Sequence, residues 1–306
     1  MKHVIQVQNL TKRYGKLTAV DHINFEVEKG EIFGFLGPNG AGKTTTLRML
    51  TGIIQADEGA ANILGFNIQK EALKAKQNIG VVPETSNAYV DLSAWQNMML
   101  MSELYGIPRK VAEDRAESLL DRLSLYHRRD DKVKGFSKGM KQRLILCMAL
   151  VNDPILVFLD EPTSGVDPIS RRRFWNLISD IEREGTTVFV TTHYMEEAEY
   201  CDELALIYKG KIIAKGTPSS IREESIPSGL IELSLNDPFE ALEILENSGL
   251  VKAAAIFGDG LHLTVEKGTS DDEKIKKYLT EKGFGIYSMD RARPSLEDVF
   301  VHMIEK

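Results

Sequence analysis

Residues Gly37 to Thr44 read GPNGAGKT, two glycines, a lysine and a hydroxyl at the spacing G-x-x-x-x-G-K-[ST]. Glycines let the backbone turn tightly, so that several N–H groups converge on one point and hold an anionic phosphate. Lys43 stands where its ammonium reaches the outer phosphates of a nucleotide. Thr44 stands where its hydroxyl ligates Mg²⁺. Pro38, Asn39, Gly40, Ala41 and Gly42, with Thr45 behind them, complete the expected phosphate-binding set. A second group of chemical interest is Ile155 to Glu161, ILVFLDE, an apolar run ending in two carboxylates. Asp160 can hold Mg²⁺ through water, because that ion prefers a few carboxylate oxygens and keeps several waters. Glu161, expected on the same strand but pointing the other way, is placed to orient or deprotonate an attacking water.

These groups need particular elements around them. Glu31 to Leu36 (EIFGFL) is a short strand-type run, and Thr44 to Thr51 (TTTLRMLT) continues in a helix-compatible pattern. Strand, glycine-rich turn and helix aim the amides at one point, and the helix N-terminus adds about half a positive charge there. Other strands are expected at Val4–Asn9, Ile23–Val27, Ala60–Leu64, Ile79–Val82, Thr186–Thr191 and in a hairpin over Lys209-Gly210. Helices are expected near Gln69–Gln77, over Ser93–Leu125 with a break at Gly106-Ile107-Pro108, and at Gly139–Val151, Ser170–Arg183 and Met195–Cys201. Strands alternating with helices predict an α/β fold with one largely parallel sheet and an antiparallel start. A polar boundary, TPSSIREESIPS, is expected at Thr217–Ser228. Beyond it the pattern reads βαββαβ plus a helix, the ferredoxin-like α+β layout.

Phe136 to Arg143, FSKGMKQR, is by itself a serine helix cap followed by a basic helix. Lying between the phosphate loop and ILVFLDE, it resembles the signature sequence of ATP-binding cassette (ABC) ATPases, usually written LSGGQ. Ser164 to Asp167 (SGVD) looks like that family's dimer-interface loop and Thr192-His193 like its switch histidine. Tyr14, in LTKRYGKLTAV, looks like its adenine-stacking aromatic. The motifs fall in the family's order and cover residues 1 to about 217. The tail, PSLEDVFVHMIEK, is similar to the C-terminal extension of ATPase subunits from drug and natural-product exporters.

The resemblance implies a P-loop NTPase fold of the ABC type. Residues 1–217 form its ATPase domain with a helical subdomain over about 84–150, and residues 218–306 form an accessory domain. It implies ATP and Mg²⁺ as cofactors and Glu161, His193 and Lys43 as catalytic residues. Tyr14 is its adenine platform, and Ser137 and Gly139 are contacts to the γ-phosphate. The chain departs from the pattern in two places. Phe136, Lys138 and Met140 replace Leu, Gly and Gln, while Ser137 and Gly139 remain. Glu84, after Val82-Pro83, stands where Gln is usual; ionised Glu only accepts hydrogen bonds, so it can serve the metal or a water. The family's sites form between the phosphate loop of one subunit and the signature of another, so a homodimer is expected. An integral-membrane permease subunit is expected to dock on Asn87 to Ile107, which carries Tyr89, Leu92, Trp95 and several methionines. The same residues could instead pack the helical subdomain's own core.

The 306 residues, 42% hydrophobic and 27% charged, describe an ordinary folded protein of about two domains. A net charge of −7 offers no electrostatic case for nucleic acid as a partner. Cys147 and Cys201 make no disulfide framework and read as buried thiols in a reducing compartment. No apolar run approaches a membrane span, and MKHVIQVQNL alternates like a strand. With the docking that the resemblance implies, the expected location is cytoplasmic, at the inner face of the cell membrane. Two alternatives stand beside export. One is a non-transport ABC ATPase of the ribosome or DNA, which a single cassette without sustained heptads between Thr51 and Ser137 argues against. The other is a cassette regulated by a ligand-binding C-terminal domain.

Overall fold

A computed structural model describes residues 2–225, 229–265, 271–292 and 295–304. The chain divides into two compact units, Met1–Thr217 and Pro218–Lys306. The first runs β1 (His3–Tyr14), β2 (Leu17–Glu28), β3 (Ile32–Leu36), α1 (Lys43–Leu50), β4 (Glu58–Ile63), β5 (Phe66–Asn67), α2 (Ala72–Lys76) and β6 (Ile79–Val82). It continues with α3 (Ala94–Leu104), α4 (Arg109–Arg122), α5 (Lys138–Leu150), β7 (Leu156–Asp160), α6 (Pro168–Arg183), β8 (Thr187–Thr192), β9 (Glu203–Tyr208) and β10 (Lys211–Gly216).

The strands build two sheets where the sequence pattern predicts one. An antiparallel sheet has the order β2-β1-β4-β5, and the other has the order β10-β9-β3-β8-β7-β6, parallel from β9 to β6. The reason lies in the faces. The last six residues of β2 alternate buried and exposed, so it covers a core from one side. Strands β3, β7 and β8 are buried at every residue, as the centre of a parallel sheet requires. Between the sheets, the ring of Phe25 lies 5.6 Å from Phe33, 5.5 Å from Phe35 and 6.0 Å from Phe189. Leu47, Met49 and Leu50 of α1 join this cluster, which anchors the helix that follows the phosphate loop.

A second core gathers Met98 of α3, Leu120 of α4, Leu144 of α5, Leu159 of β7 and Trp175 of α6. Helix α2 is shorter than the predicted Gln69–Gln77, because the Asn67 side chain accepts from the Gln69 and Lys70 amides and holds a turn there. Both cysteines are free and buried, and burial pushes both thiols up. Among the described residues no helix is long and apolar enough to cross a membrane.

The second unit begins with α7 (Pro218–Ser225), which occupies most of the expected polar boundary; residues 226–228 lie outside the described set. Proline at the first helical position suits a helix start, and Ile221 is buried. Then come β11 (Gly229–Leu235), α8 (Pro238–Glu246), β12 (Ala253–Phe257), β13 (Gly260–Val265), α9 (Asp271–Glu281), β14 (Ile286–Ala292) and α10 (Leu296–Ile304). The sheet order β12-β13-β11-β14, antiparallel throughout, is that of a split βαβ fold. Alternation sends Ile231, Leu233, Leu261 and Leu263 to one face, where Ala241 and Leu245 of α8 and Ile275 and Leu279 of α9 cover them.

Candidate nucleotide site

The phosphate loop joins β3 to α1. Gly42 is the N-cap of α1 with φ 109°. A methyl group there would lie 2.5 Å from the Ala19 carbonyl oxygen, and one at Gly37 only 2.2 Å from that of Ile207. Both glycines are therefore required by close backbone approach. The Lys43 side chain is buried and curls back over the loop. It donates to the Gly37 carbonyl at 2.8 Å and the Pro38 carbonyl at 3.1 Å, and it pairs with Glu161 Oε1 at 3.0 Å.

The carboxylates sit at the end of β7, but not as alternate residues of one strand. The strand stops at Asp160, and Glu161 takes the left-handed conformation with φ 45°. A non-glycine residue in that region is uncommon, and its neighbours hold it. The Glu161 amide donates to both the carbonyl and the hydroxyl of Thr191, at 3.0 and 3.1 Å. Glu161 Oε2 meets His193 Nδ1 at 2.8 Å. Asp160 Oδ1 accepts from the hydroxyls of Thr191 (2.6 Å) and Thr44 (3.2 Å). Burial pushes the Asp160 carboxyl up, and the two hydroxyls pull against that. Thr191 is a site residue that sequence reasoning missed. Its signal was a hydroxyl pair at the end of the apolar run TVFVTT, beside the histidine.

One open cavity of about 570 Å³ gathers most of the expected residues. Tyr14, Asn39, Gly40, Gly42, Lys43, Thr44, Thr45, Glu84, Glu161 and His193 line it, with Ala19 and Ser164 beside them. Pro38 and Gly37 face Lys43 through their carbonyls, and Ala41 is buried beneath. Tyr14 is half exposed, with the Lys12 ammonium 5.6 Å from its ring centre. Ser137 and Gly139 are not in this cavity. Ser137 caps α5, its hydroxyl accepting from the Met140 amide, and both residues line a separate cavity of about 390 Å³ between α5 and α6.

The two cavities differ in how the chain itself uses its glycines. A methyl at Gly139 would meet Ser170 at 3.5 Å, an ordinary contact. Nothing within the chain forbids alanine there. A cation at Thr44 and Asp160 would find two protein oxygens on elements 116 residues apart. Among the described residues no group of three or more His, Cys, Asp or Glu comes together to hold a metal. The donor set suits a hard cation that takes its remaining ligands from phosphate and water, as Mg²⁺ does.

The expected docking segment divides residue by residue. Met98 is fully buried, and Trp95, Met99 and Met101 pack against the same core. Trp95 is partly buried, packing one side on the subdomain interior. Tyr89, Val90 and Leu104 are exposed. The Asn97 side chain, fully buried, accepts from the Tyr89 amide at 2.8 Å and donates to its carbonyl at 3.0 Å, pinning that loop to α3.

Known proteins resemble this arrangement along the whole chain. The ABC transporter family profile matches residues 20–164, and that of the C-terminal domain of DrrA1-3-like ATP-binding proteins matches residues 216–304. A linearmycin resistance ATP-binding protein of Bacillus subtilis is 36% identical over 305 residues, 98% of each chain. A probable multidrug ABC transporter ATP-binding protein of Escherichia coli is 42% identical over 222 residues; the match takes in 72% of this chain but only 38% of that protein. Among solved structures, cbiO1 of Clostridium perfringens, part of an ABC transporter complex, superposes with a TM-score of 0.68 at 26% identity, covering 73% of this chain and 92% of that one. The chain therefore belongs to the ATP-binding proteins of ABC transporters.

Proposed function

We propose that this chain is the ATP-hydrolysing subunit that energises an exporter, working as a head-to-tail pair docked on a separate membrane subunit. The observation that carries this reading is the division of the site. Phosphate loop, base and histidine share one cavity, while the serine and glycine of the signature line another. A second copy of the chain supplies what each cavity lacks.

The chain's own groups divide the work. Loop amides and Lys43 hold the phosphates; Tyr14 offers its half-exposed ring to adenine. Thr44 and Asp160 would hold Mg²⁺, which neutralises phosphate charge when bound. Lys43 has three donors, and Gly37, Pro38 and Glu161 accept all three. A γ-phosphate therefore displaces one of them, and the Glu161 carboxylate is the group free to swing away. Released, Glu161 accepts a proton from water. His193, its partner at 2.8 Å, is left to contact the phosphate.

The exposed Tyr89, Val90 and Leu104 fit a docking face for the membrane subunit, which would hold the ATPase at the inner membrane surface. Export is supported by the relatives, one a probable multidrug transporter ATP-binding protein and one a linearmycin resistance ATP-binding protein. The test is Glu161→Gln in the full chain. ATP binding stays intact, turnover falls ~10²–10⁴-fold, and an ATP-bound dimer accumulates on size exclusion. Normal turnover in that variant refutes the assignment.

A further inference from the structure

Glu197 lies in the short 3-10 helix Met195–Tyr200 that follows His193, and it is 1% exposed. A buried carboxylate is costly unless paired, so its neighbours carry information. Thr163, equally buried, donates its hydroxyl to Glu197 Oε1 at 2.5 Å. Arg171 brings its Nε to 3.7 Å from the same oxygen. The Arg171 guanidinium also stacks 4.0 Å from the ring centre of Tyr194, and the Tyr194 ring lies 4.1 Å from that of His193.

These contacts close a ring. Glu161 bonds His193; the tilted rings of His193 and Tyr194 lie against each other; Arg171 lies over Tyr194 and faces Glu197; Glu197 holds Thr163, two residues after Glu161. Thr163 and Arg171 flank the loop Ser164–Asp167 on its two sides, and Asp167 caps α6, which carries Arg171. We infer that Glu197 is a positioning residue for hydrolysis, tying both flanks of that loop to the turn after His193 and so holding Glu161 and His193 in register. The inference rests on the ATPase reading above.

The ring is not saturated. Glu197 Oε2 and Arg171 Nε are both buried without a hydrogen-bond partner. An orphan acceptor beside an orphan donor is a contact left to be made, and a partly satisfied polar network readily exchanges one arrangement for another.

The experiment compares Thr163→Val, Thr163→Ser and Glu197→Leu in the full chain by phosphate release at varied MgATP, normalised to folded protein. Misplacing catalytic groups by about 1 Å costs up to ~10²-fold. Glu197→Leu is expected to lower kcat ~100-fold, and Thr163→Val ~10-fold, with KM within about threefold of wild type. Thr163→Ser, which restores the hydroxyl, restores kcat. Equal rates for the Val and Ser variants overturn the inference, as does a kcat that falls only with the folded fraction. If Glu197→Leu does not fold, the Val and Ser pair decides alone. A wild type that releases no phosphate, matching Lys43→Ala, overturns the ATPase reading and this inference with it. An active wild type with unchanged Thr163→Val overturns the inference only.

Discussion

The phosphate loop and the N-terminus of α5 are both glycine-bearing helix starts, yet their surroundings are opposite. At the loop the charged side chains are engaged within the chain: Lys43 with two carbonyls and Glu161, Asp160 with two hydroxyls, Glu161 with His193. Gly37 and Gly42 are forced by backbone lying where a Cβ would go. At α5, Ser137 is exposed, Gly139 has ordinary room for a methyl, and the nearest cavity holds none of the reacting groups. One region is built largely on contacts within the chain; the other is a helix start whose serine is exposed and whose glycine meets only ordinary contacts.

The sharpest way to break this contrast is Gly139→Ala. Alanine favours helix by up to about 1 kcal/mol over glycine, so thermal stability is expected to hold or rise slightly. The ATPase rate is expected to fall ~10²-fold because the methyl blocks the facing phosphate. Mixing that variant with Lys43→Ala then restores activity, since each mixed pair keeps one site with both halves intact. No recovery on mixing would mean that the two regions do not meet across subunits.

Glu84→Gln probes the self-satisfied side. Glu84 lines the nucleotide cavity, but it is not among the groups that pair with Lys43 or His193. The ATPase rate is expected to stay within about tenfold of wild type, the low end of general-base effects. A complete loss would show that the carboxylate is essential. A smaller effect concerns Tyr14. Stacking contributes about 1–3 kcal/mol and tolerates any base, so GTP should be hydrolysed within a few-fold of ATP. A hundredfold preference for ATP would require a base-reading contact that stacking does not provide.

The smallest effect concerns neither region and serves as their control. Glu31, just before β3, is pushed up to about 7, chiefly by burial, with Glu203, Glu28 and Asp202 adding and the Glu28 amide opposing. Because its folded value lies above the unfolded one, stability is greatest below the unfolded carboxylate range and falls as pH rises to about 7. Glu31→Gln is expected to stabilise the protein by about 1 kcal/mol near pH 8, after solvent screening, and to do nothing near pH 4. Thermal melts at both pH values read this directly, and turnover is expected to stay the same.

Much of this site was legible in the linear chain because its parts are local. GPNGAGKT is one turn between a strand and a helix, and such a turn has little choice of shape. Ser137 announces a helix start by its own side chain. The less legible parts depend on residues far apart in sequence. That Glu161 leaves the strand in a left-handed turn is decided by Thr191, thirty residues on. That α2 starts late is decided by Asn67 alone, a local signal that hydrophobic periodicity overrides on paper. Trp95 and Tyr89 look alike as aromatic residues of one segment; only packing sends one inward and leaves the other exposed.

By itself the sequence determined which groups carry charge, which positions lack a side chain and where helices can begin, because these follow from residue type and near neighbours. Tertiary structure alone decided how strands separate into two sheets, which carboxylate pairs with Lys43, and that Glu197 closes a ring behind His193. Those outcomes depend on burial and on contacts between elements tens of residues apart. Their energies exist only once the core has brought the elements together.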